Sequence, residues 1–252
     1  MAAFERAVEL GYRYLETDAH LTADGVLLAF HDHMLDRVTD RTGVVADLPW
    51  SEIQKAQVDG EPIPLLEELL GAWPDVRVNI DPKHDAAVAP LVNLLDRTRA
   101  FDRVCIAAFS DRRLARVRKL SGGRALTALG PTGITRLRIA SYGARGAKHA
   151  PLGAERTSGS LRSSDLHALA PRRTGRFAAG CVQVPTHVGK RVLIDQRFVD
   201  TAHRRGLPIH VWTIDERAQM ERLLDLGVDG IMTDRPVTLK ELLIERGQWV
   251  EQ

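Results

Sequence analysis

The sequence predicts an α/β fold in which helices cover a parallel sheet, and three observations support this prediction. Short apolar segments alternate with amphipathic segments along the 252 residues, an order typical of repeated strand–helix units. The strand candidates are rich in Val and Ile without strict alternation, which favours strands that are buried on both faces. The helix candidates space apolar residues by three and four positions, as Val88, Leu91, Val92 and Leu95 do.

Seven strands and seven helices are predicted in this alternating order. The strand candidates are residues 12–17, 76–80, 104–109, 125–129, 181–184, 207–213 and 229–233. The helix candidates are residues 2–10, 64–72, 86–97, 111–120, 195–205, 216–225 and 239–246. A closed (β/α) barrel has eight strands, so these segments fit either a barrel that is one strand short or an open doubly wound sheet.

Two segments interrupt this pattern. Residues 19–59 hold an apolar run at 26–30 and turn-forming residues at 40–43, which predicts a small inserted subdomain on the barrel rim. Residues 141–180 are rich in Gly, Ser, Arg and Pro, and a loop of this length is usually functional or disordered, a choice that the sequence leaves open. Basic residues concentrate between Arg136 and Arg176, where they either face solvent or attract an anionic, phosphate-bearing substrate.

The composition is that of an ordinary globular protein, with 44% hydrophobic and 27% charged residues. The net charge of +2 gives no argument for nucleic acid as a partner. No apolar stretch is long enough to span a bilayer and the first residues lack the pattern of a signal peptide, so a cytoplasmic location is expected. Cys105 and Cys181 lie in apolar runs and are expected to be buried thiols outside any disulfide.

The first candidate functional residues are Glu16 and Asp18, at the end of the first strand candidate. Residues two apart on a strand point to the same side, so both carboxylates are expected to converge on one point. Two ionised carboxylates repel each other, and a divalent cation would relieve that repulsion. Oxygen ligands favour Mg²⁺ or Ca²⁺ over softer metals. The alternative is a hydrated pair at an exposed strand end.

The second candidates are His31 and Asp32, which follow the apolar run at 26–30. A histidine titrates near neutral pH and can pass a proton to a leaving alkoxide, while Asp32 could orient the ring or hold the turn. The alternative is a His–Asp pair that caps a loop. His20 and His33 lie nearby in the sequence and are expected to be surface residues.

The third candidates are Asn79, Asp81 and Lys83, which share one face if the strand geometry continues beyond residue 80. Asp81 could join the metal ligands, and Lys83 could pair with a phosphate oxygen. The alternative is an Asp-Pro turn with an exposed lysine. All three groups follow predicted parallel strands, whose carboxyl ends form the catalytic face of a barrel. Together they predict metal-assisted phosphoryl transfer to water.

Short motifs follow one another in a characteristic order along the whole chain. They are Ala3-Phe4-Glu5-Arg6-Ala7, Glu16-Thr17-Asp18, Leu21-Thr22-Ala23-Asp24-Gly25, Phe30-His31-Asp32, Leu35-Asp36-Arg37, Thr42-Gly43, Ile63-Pro64-Leu65, Asn79-Ile80-Asp81-Pro82-Lys83, Val211-Trp212-Thr213-Ile214 and Gly227-Val228-Asp229-Gly230-Ile231-Met232-Thr233-Asp234-Arg235-Pro236. Each motif is weak alone, but the ordered set resembles the glycerophosphodiester phosphodiesterase family. The resemblance is weakest from residue 134 to residue 180.

The resemblance implies a TIM (β/α) barrel of the phospholipase C-like phosphodiesterase type. It also implies hydrolysis of small glycerophosphodiesters to an alcohol and glycerol 3-phosphate. Glu16 and Asp18 match the family's metal-binding Glu-x-Asp motif, His31 matches one of its two acid/base histidines, and Lys83 matches a phosphate-contacting lysine. The implied cofactor is a divalent metal, Mg²⁺ or Ca²⁺.

Two further residues, Asp81 and Trp212, match the family pattern less directly. Asp81 stands where the family usually has a metal-binding Glu, and its side chain is one methylene shorter. Trp212 matches an aromatic residue that lines the glycerol pocket; the alternative is a tryptophan packed in the core.

The sequence also departs from the family pattern, which begins with a strand ending in His-Arg-Gly and a Pro-Glu-Asn-Thr turn. Those segments would supply the first barrel strand, the other catalytic histidine and another metal-binding Glu. A single domain is therefore expected over residues 1–252, incomplete at its N-terminus and with an insertion at about residues 19–59. Either translation starts further upstream or the protein is shortened and impaired. The unpaired edges of a barrel that lacks a strand favour the first explanation.

Two other functions stay open at this point. The chain could be a catalytically impaired fragment or a non-catalytic barrel protein. It could also be another phosphodiesterase of the same scaffold that acts on phospholipids, which the matches at residues 21–25 and 30–32 disfavour.

Overall fold

A computed structural model describes residues 1–143 and 179–250 of the chain. The chain divides into two compact units, residues 1–130 and residues 131–252. In both units parallel strands alternate with helices, which is the α/β organisation predicted from the sequence.

The first unit contains seven strands and five α-helices. Its strands are β1 (Tyr14–Leu21), β2 (Leu27–Ala29), β3 (Gln57–Val58), β4 (Glu61–Pro62), β5 (Arg77–Pro82), β6 (Val104–Ile106) and β7 (Leu126–Thr127). Its helices are α1 (Ala2–Glu9), α2 (Trp50–Ile53), α3 (Leu66–Ala72), α4 (Val88–Arg97) and α5 (Asp111–Leu120). Short 3₁₀ turns lie at Val45–Asp47, Asp85–Ala87 and Phe101–Arg103.

The main sheet of this unit has the strand order β2–β1–β5–β6–β7. Strands β1, β5, β6 and β7 run parallel, whereas β2 folds back antiparallel onto β1. Helices α3, α4 and α5 bury Leu69, Leu91 and Leu114 in one core with Ile80 of β5 and Ile106 of β6, each at most 1% exposed. Complete burial of such side chains contributes about 1.5–3 kcal/mol each, so this core holds the parallel strands in place.

The segment between β1 and α3 has a small core of its own. Its buried members are Leu28, Phe30, Leu35, Val45, Ile53, Ala56 and Ile63. The β3–β4 hairpin and helix α2 belong to this segment, which overlaps residues 19–59; that these form an inserted subdomain stays a prediction.

The second unit contains four helices and five strands within its described residues. They are α6 (Pro131–Gly143), β8 (Val182–Val184), β9 (His187–Val188), β10 (Arg191–Val192), α7 (Gln196–His203), β11 (Ile209–Val211), α8 (Arg217–Asp225), β12 (Gly230–Ile231) and α9 (Pro236–Glu245). Strands β12, β11 and β8 form a parallel sheet in that order, and β9 pairs with β10 as a hairpin.

The seven predicted strands overlap the seven parallel strands β1, β5, β6, β7, β8, β11 and β12. The boundary differs most at the end of β1, which runs to Leu21, and β5 also runs further than predicted, to Pro82. Beyond its pairing with β5, strand β1 continues because it pairs with β2. The predicted ends were therefore too early at both functional segments.

Helix α6 was not predicted from the sequence. Its first turn contains Thr132, Gly133, Ile134 and Thr135, residue types with low intrinsic helix propensity. The irregular segment predicted at residues 141–180 lies largely outside the described residues, as does most of the basic stretch from Arg136 to Arg176.

The expectation for the cysteines was correct for one of the two. Cys181 is 3% exposed, whereas Cys105 is only partly buried. The side chains of β6 alternate between buried, intermediate and buried, so Cys105 faces the opposite side of the sheet from Val104 and Ile106. Neither cysteine forms a disulfide.

Among residues 1–143 and 179–250, no helix combines the length and the apolar character needed to cross a membrane.

A stability prediction follows from Asp195, which links helices α6 and α7. Its Oδ1 accepts a hydrogen bond from the Phe198 amide at 2.9 Å, and its two oxygens each lie 2.8 Å from a guanidinium nitrogen of Arg138. We expect Asp195→Ala to lower the free energy of unfolding by about 1–2 kcal/mol through loss of the cap. Asp195→Asn should lose less, since the amide oxygen still accepts the Phe198 N–H. Urea unfolding at pH 7 measures both changes.

The same pair predicts a pH dependence. The Arg138 hydrogen bonds hold the pKa of Asp195 below its usual range, so the charged pair stabilises the fold above the unfolded pKa of about 4. The difference between wild type and Asp195→Asn should shrink as the pH falls through the folded pKa. A wild type no more stable than Asp195→Ala at pH 7 would contradict this assignment.

Candidate active site

Strands β1 and β5 place the predicted carboxylates side by side. They pair in parallel, with Glu16 opposite Asn79 and Asp18 opposite Asp81. This pairing ends at Ala19 and Pro82, which is the carboxyl end of the shared ladder, where barrel enzymes carry their chemistry. Register alone therefore brings Asp18 next to Asp81 across more than sixty residues of sequence.

Lys83 joins the two carboxylates. Its amide donates a hydrogen bond to the Ala19 carbonyl at 3.0 Å, so the backbone of β5 stays beside β1 up to this residue. The Lys83 ammonium lies 2.6 Å from Oδ1 of Asp18 and 3.7 Å from Oδ2 of Asp81. Burial lowers the pKa of Lys83, but the hydrogen bond to Asp18 and the nearby carboxylates raise it overall, so the side chain is a firmly charged cation.

Asp81 is the most constrained carboxylate of the group. It is 7% exposed, and its buried Oδ1 has no hydrogen-bond partner among the described residues. Burial raises the pKa of Asp81 to about 6, against the lowering effect of the Lys83 charge. A buried carboxylate oxygen without a donor is costly, so this oxygen is suited to a cationic ligand.

The strand β2 brings His31 back beside Asp18. A turn after β1 reverses the chain. In this turn the Thr22 hydroxyl accepts a hydrogen bond from the Val26 amide at 2.9 Å, and Gly25 has a positive φ of +87°. The Phe30 amide then donates to the Asp18 carbonyl at 3.1 Å. His31 is the next residue, so the antiparallel return sets its main chain at the level of the two carboxylates.

Asp32 holds the ring of His31. Nδ1 of His31 lies 2.7 Å from Oδ1 of Asp32, and the ring is 71% exposed. Arg37 donates two hydrogen bonds to the same carboxylate, from Nε to Oδ2 at 2.6 Å and from Nη2 to Oδ1 at 2.8 Å. These Arg37 and His31 contacts hold the pKa of Asp32 far below its usual range. Asp32 is therefore a carboxylate that both orients the ring and closes the turn.

The expectation that His20 is a surface residue was wrong. His20 is 2% exposed, and its Nε2 lies 3.0 Å from the His31 carbonyl oxygen. It is buried because β1 extends past Thr17, which places His20 on the same face as Asp18. His33, in contrast, is exposed as expected. Neither Arg37 nor His20 was singled out from the sequence, although a longer first strand would have indicated His20.

Glu16 and Trp212 are the remaining residues that the sequence predicted for the site. Glu16 is exposed on β1, two residues before Asp18. Trp212 is half-buried and directly follows β11 in the second unit, where its amide donates to the Val184 carbonyl at 3.2 Å. The structure thus brings Asp18, Asp81 and Lys83 into contact, and the main chain next to His31 is bonded to the Asp18 carbonyl.

The arrangement offers hard oxygen ligands, a cation and an imidazole at one end of a parallel sheet. Within the described residues, however, no group of three or more His, Cys, Asp and Glu side chains is gathered closely enough to hold a metal ion. Lys83 occupies the space between the two aspartates instead. In the structure, the two carboxylates are therefore paired with the Lys83 ammonium.

Comparison with known proteins identifies the family. Residues 1–238 match the model of the glycerophosphoryl diester phosphodiesterase family. The "probable glycerophosphodiester phosphodiesterase 2" of Mycobacterium tuberculosis is 39% identical over 250 residues, which are 99% of this chain and 86% of that protein. This family comprises phosphoric diester hydrolases.

Solved structures share the fold. A glycerophosphodiester phosphodiesterase from Agrobacterium tumefaciens superposes with a TM-score of 0.67 at 21% identity, covering 94% of this chain and 91% of that one. A phosphodiesterase from Oleispira antarctica, solved with its product sn-glycerol-3-phosphate, superposes with a TM-score of 0.70 at 17% identity, covering 96% and 90%. These likenesses confirm the predicted fold class. The chain belongs to the glycerophosphoryl diester phosphodiesterase family.

Proposed function

We propose that this chain hydrolyses glycerophosphodiesters to an alcohol and glycerol 3-phosphate with the help of a divalent cation. The observation that carries the proposal is the contact of Asp18, Asp81 and Lys83 at the paired carboxyl ends of β1 and β5. The Oleispira antarctica phosphodiesterase binds the product sn-glycerol-3-phosphate. That complex supports the proposal that the present chain releases the same product.

Two neighbouring aspartates support the proposal of a hard cation. Asp18 and Asp81 are neighbours in register, and the buried Oδ1 of Asp81 has no protein donor within the described residues. Glu16, Asp18 and Asp81 would hold Mg²⁺ or Ca²⁺, which prefer carboxylate oxygens. When bound, the cation stabilises negative charge on the phosphoryl oxygens.

Lys83 would bind a phosphate oxygen. Its side chain is only 23% exposed, and its ammonium lies close to both aspartates. Lys83 would turn from these carboxylates toward a phosphate, which it would bind as a compact point charge.

His31 would transfer the proton. Its Nδ1 donates to the Asp32 carboxylate, so Nε2 is the nitrogen that gives a proton to the leaving alkoxide. Arg37 keeps Asp32 ionised and fixed, and an ionised partner stabilises the imidazolium that must form before each transfer. Trp212 follows the carboxyl end of β11 in the second unit, and its role in binding glycerol stays a prediction from the motif.

The first prediction concerns His31. We expect His31→Ala to lower kcat for glycerophosphocholine by about 10²-fold or more, because a general acid of this kind contributes that much. Glycerol 3-phosphate release measures the rate. His33→Ala, an exposed histidine two residues away, should retain wild-type turnover. Equal losses in both variants, or hydrolysis of lysophospholipids but not of glycerophosphocholine, would contradict the proposal.

The second prediction concerns the cation. Chelation should abolish turnover, and added Mg²⁺ or Ca²⁺ should restore it. Asp81→Asn should weaken calorimetric binding of that ion by about tenfold or more, since outer partners alone change metal affinity by about 10–100-fold. Asp75→Asn provides the matched control, because Asp75 is exposed just before the opposite end of β5. Unchanged binding in Asp81→Asn would remove Asp81 from the ligand set.

The third prediction concerns Arg37. Arg37→Gln should raise the pKa of the Asp32 carboxyl, because the Arg37 hydrogen bonds are the main cause of its lowering. NMR titration of labelled aspartate measures the change. Arg41→Gln should leave that pKa in place, since the Arg41 guanidinium donates to the Lys55 carbonyl instead. An unchanged Asp32 in Arg37→Gln would show that Arg37 does not control it.

A further inference from the structure

His20 is a buried polar side chain that the proposed chemistry does not use. It lies on β1 two residues after Asp18 and is 2% exposed. Its Nε2 is 3.0 Å from the His31 carbonyl oxygen. A carbonyl oxygen can only accept, so Nε2 must carry the hydrogen and donate it.

The main chain at His31 needs such a donor because it has left the sheet. The ladder between β1 and β2 ends at the pair Ala19 and Ala29. Past it, the Phe30 amide reaches the Asp18 carbonyl, and the next contact to β1 is the side-chain bond from His20. The His20 side chain thus bonds His31 to β1 at a position where the two backbones no longer pair.

The ring of His20 is itself held in place. The ring of His84, which follows Lys83, packs edge-on against it with centroids 5.2 Å apart and an interplanar angle of 61°. His84 is exposed and lies in the segment after β5. Its contact places the buried His20 ring between that segment and β1. A ring fixed on this side can set the position of the carbonyl that it contacts.

His31 is consequently held at two points. Asp32 fixes the imidazole through Nδ1 at 2.7 Å, and His20 fixes the main chain of the same residue. We propose that His20 is a positioning residue that holds His31 in place for proton transfer through the hydrogen bond to the His31 carbonyl. This inference rests on the proposed role of His31 as the proton donor.

The test compares two substitutions of His20. His20→Gln keeps an N–H donor at similar reach but removes the ring, and His20→Leu removes the donor while it fills the buried space. We expect His20→Leu to lower kcat for glycerophosphocholine by about tenfold or more, because small displacements of a reacting group are costly. KM should change by less than about twofold, and His20→Gln should recover most of kcat. Thermal unfolding identifies any variant that fails to fold.

A second measurement does not depend on turnover. In histidine-labelled protein at constant pH, the imidazole nitrogen signals of His31 report its tautomer and its bond to Asp32. They should shift or broaden in His20→Leu and return to wild-type positions in His20→Gln. Unchanged His31 signals in His20→Leu would overturn the inference, as would a Gln variant no better than the Leu variant, since ring packing would then explain the loss.

The two proposals can fail separately. A wild-type protein without glycerophosphodiester turnover, or an active His31→Ala variant, would contradict the proposed function. The His31 signals in the two His20 variants would still decide whether His20 positions His31.

Discussion

The contact of the Lys83 ammonium with Asp18 and Asp81 is the interaction on which the site depends. Two carboxylates side by side at the end of a parallel pair repel each other, and burial adds a desolvation cost. Lys83 offsets both, at 2.6 Å from one carboxylate and 3.7 Å from the other. The compensation is incomplete, because one oxygen of Asp81 keeps no donor within the described residues. The cluster therefore keeps one buried acceptor oxygen that the ion pair does not satisfy.

The geometry of the cluster is set by strand pairing rather than by loops. The register of β1 and β5 makes Asp18 and Asp81 neighbours, and the Lys83 amide extends that register by one more bond to Ala19. Beneath the strands, apolar residues of α3, α4 and α5 form a core that fixes their separation. Sites on strands are held more precisely than sites on loops. His31 and Lys83 lie just beyond their strands, and the Phe30 and Lys83 amides tie both segments to β1.

The sequence predicted the order of parallel strands, the residues that cluster and the face where they meet, because periodicity and strand ends depend on local pattern. Strand length depends instead on partners, so β1 was ended four residues early and His20 was taken for a surface residue. Helix α6 escaped prediction because Gly133 and the β-branched residues beside it disfavour a helix locally. Arg37 and Asp32, which Arg37 binds through two hydrogen bonds, are five residues apart across a turn. No regular secondary-structure spacing indicates such a contact. Glu16 and Trp212 were singled out by motif, and their roles stay predictions.

The antiparallel return of β2 onto β1 has a mechanical consequence. Asp18 lies on β1, and His31 follows β2, the second strand of the same hairpin. The Phe30 amide ties the end of that hairpin directly to the Asp18 carbonyl. The spacing of these two main-chain segments is therefore set within the hairpin itself. This attachment uses only β1, β2 and the Phe30 amide, so substitutions in the segment beyond Phe30 can vary the outer surface and leave the attachment unbroken.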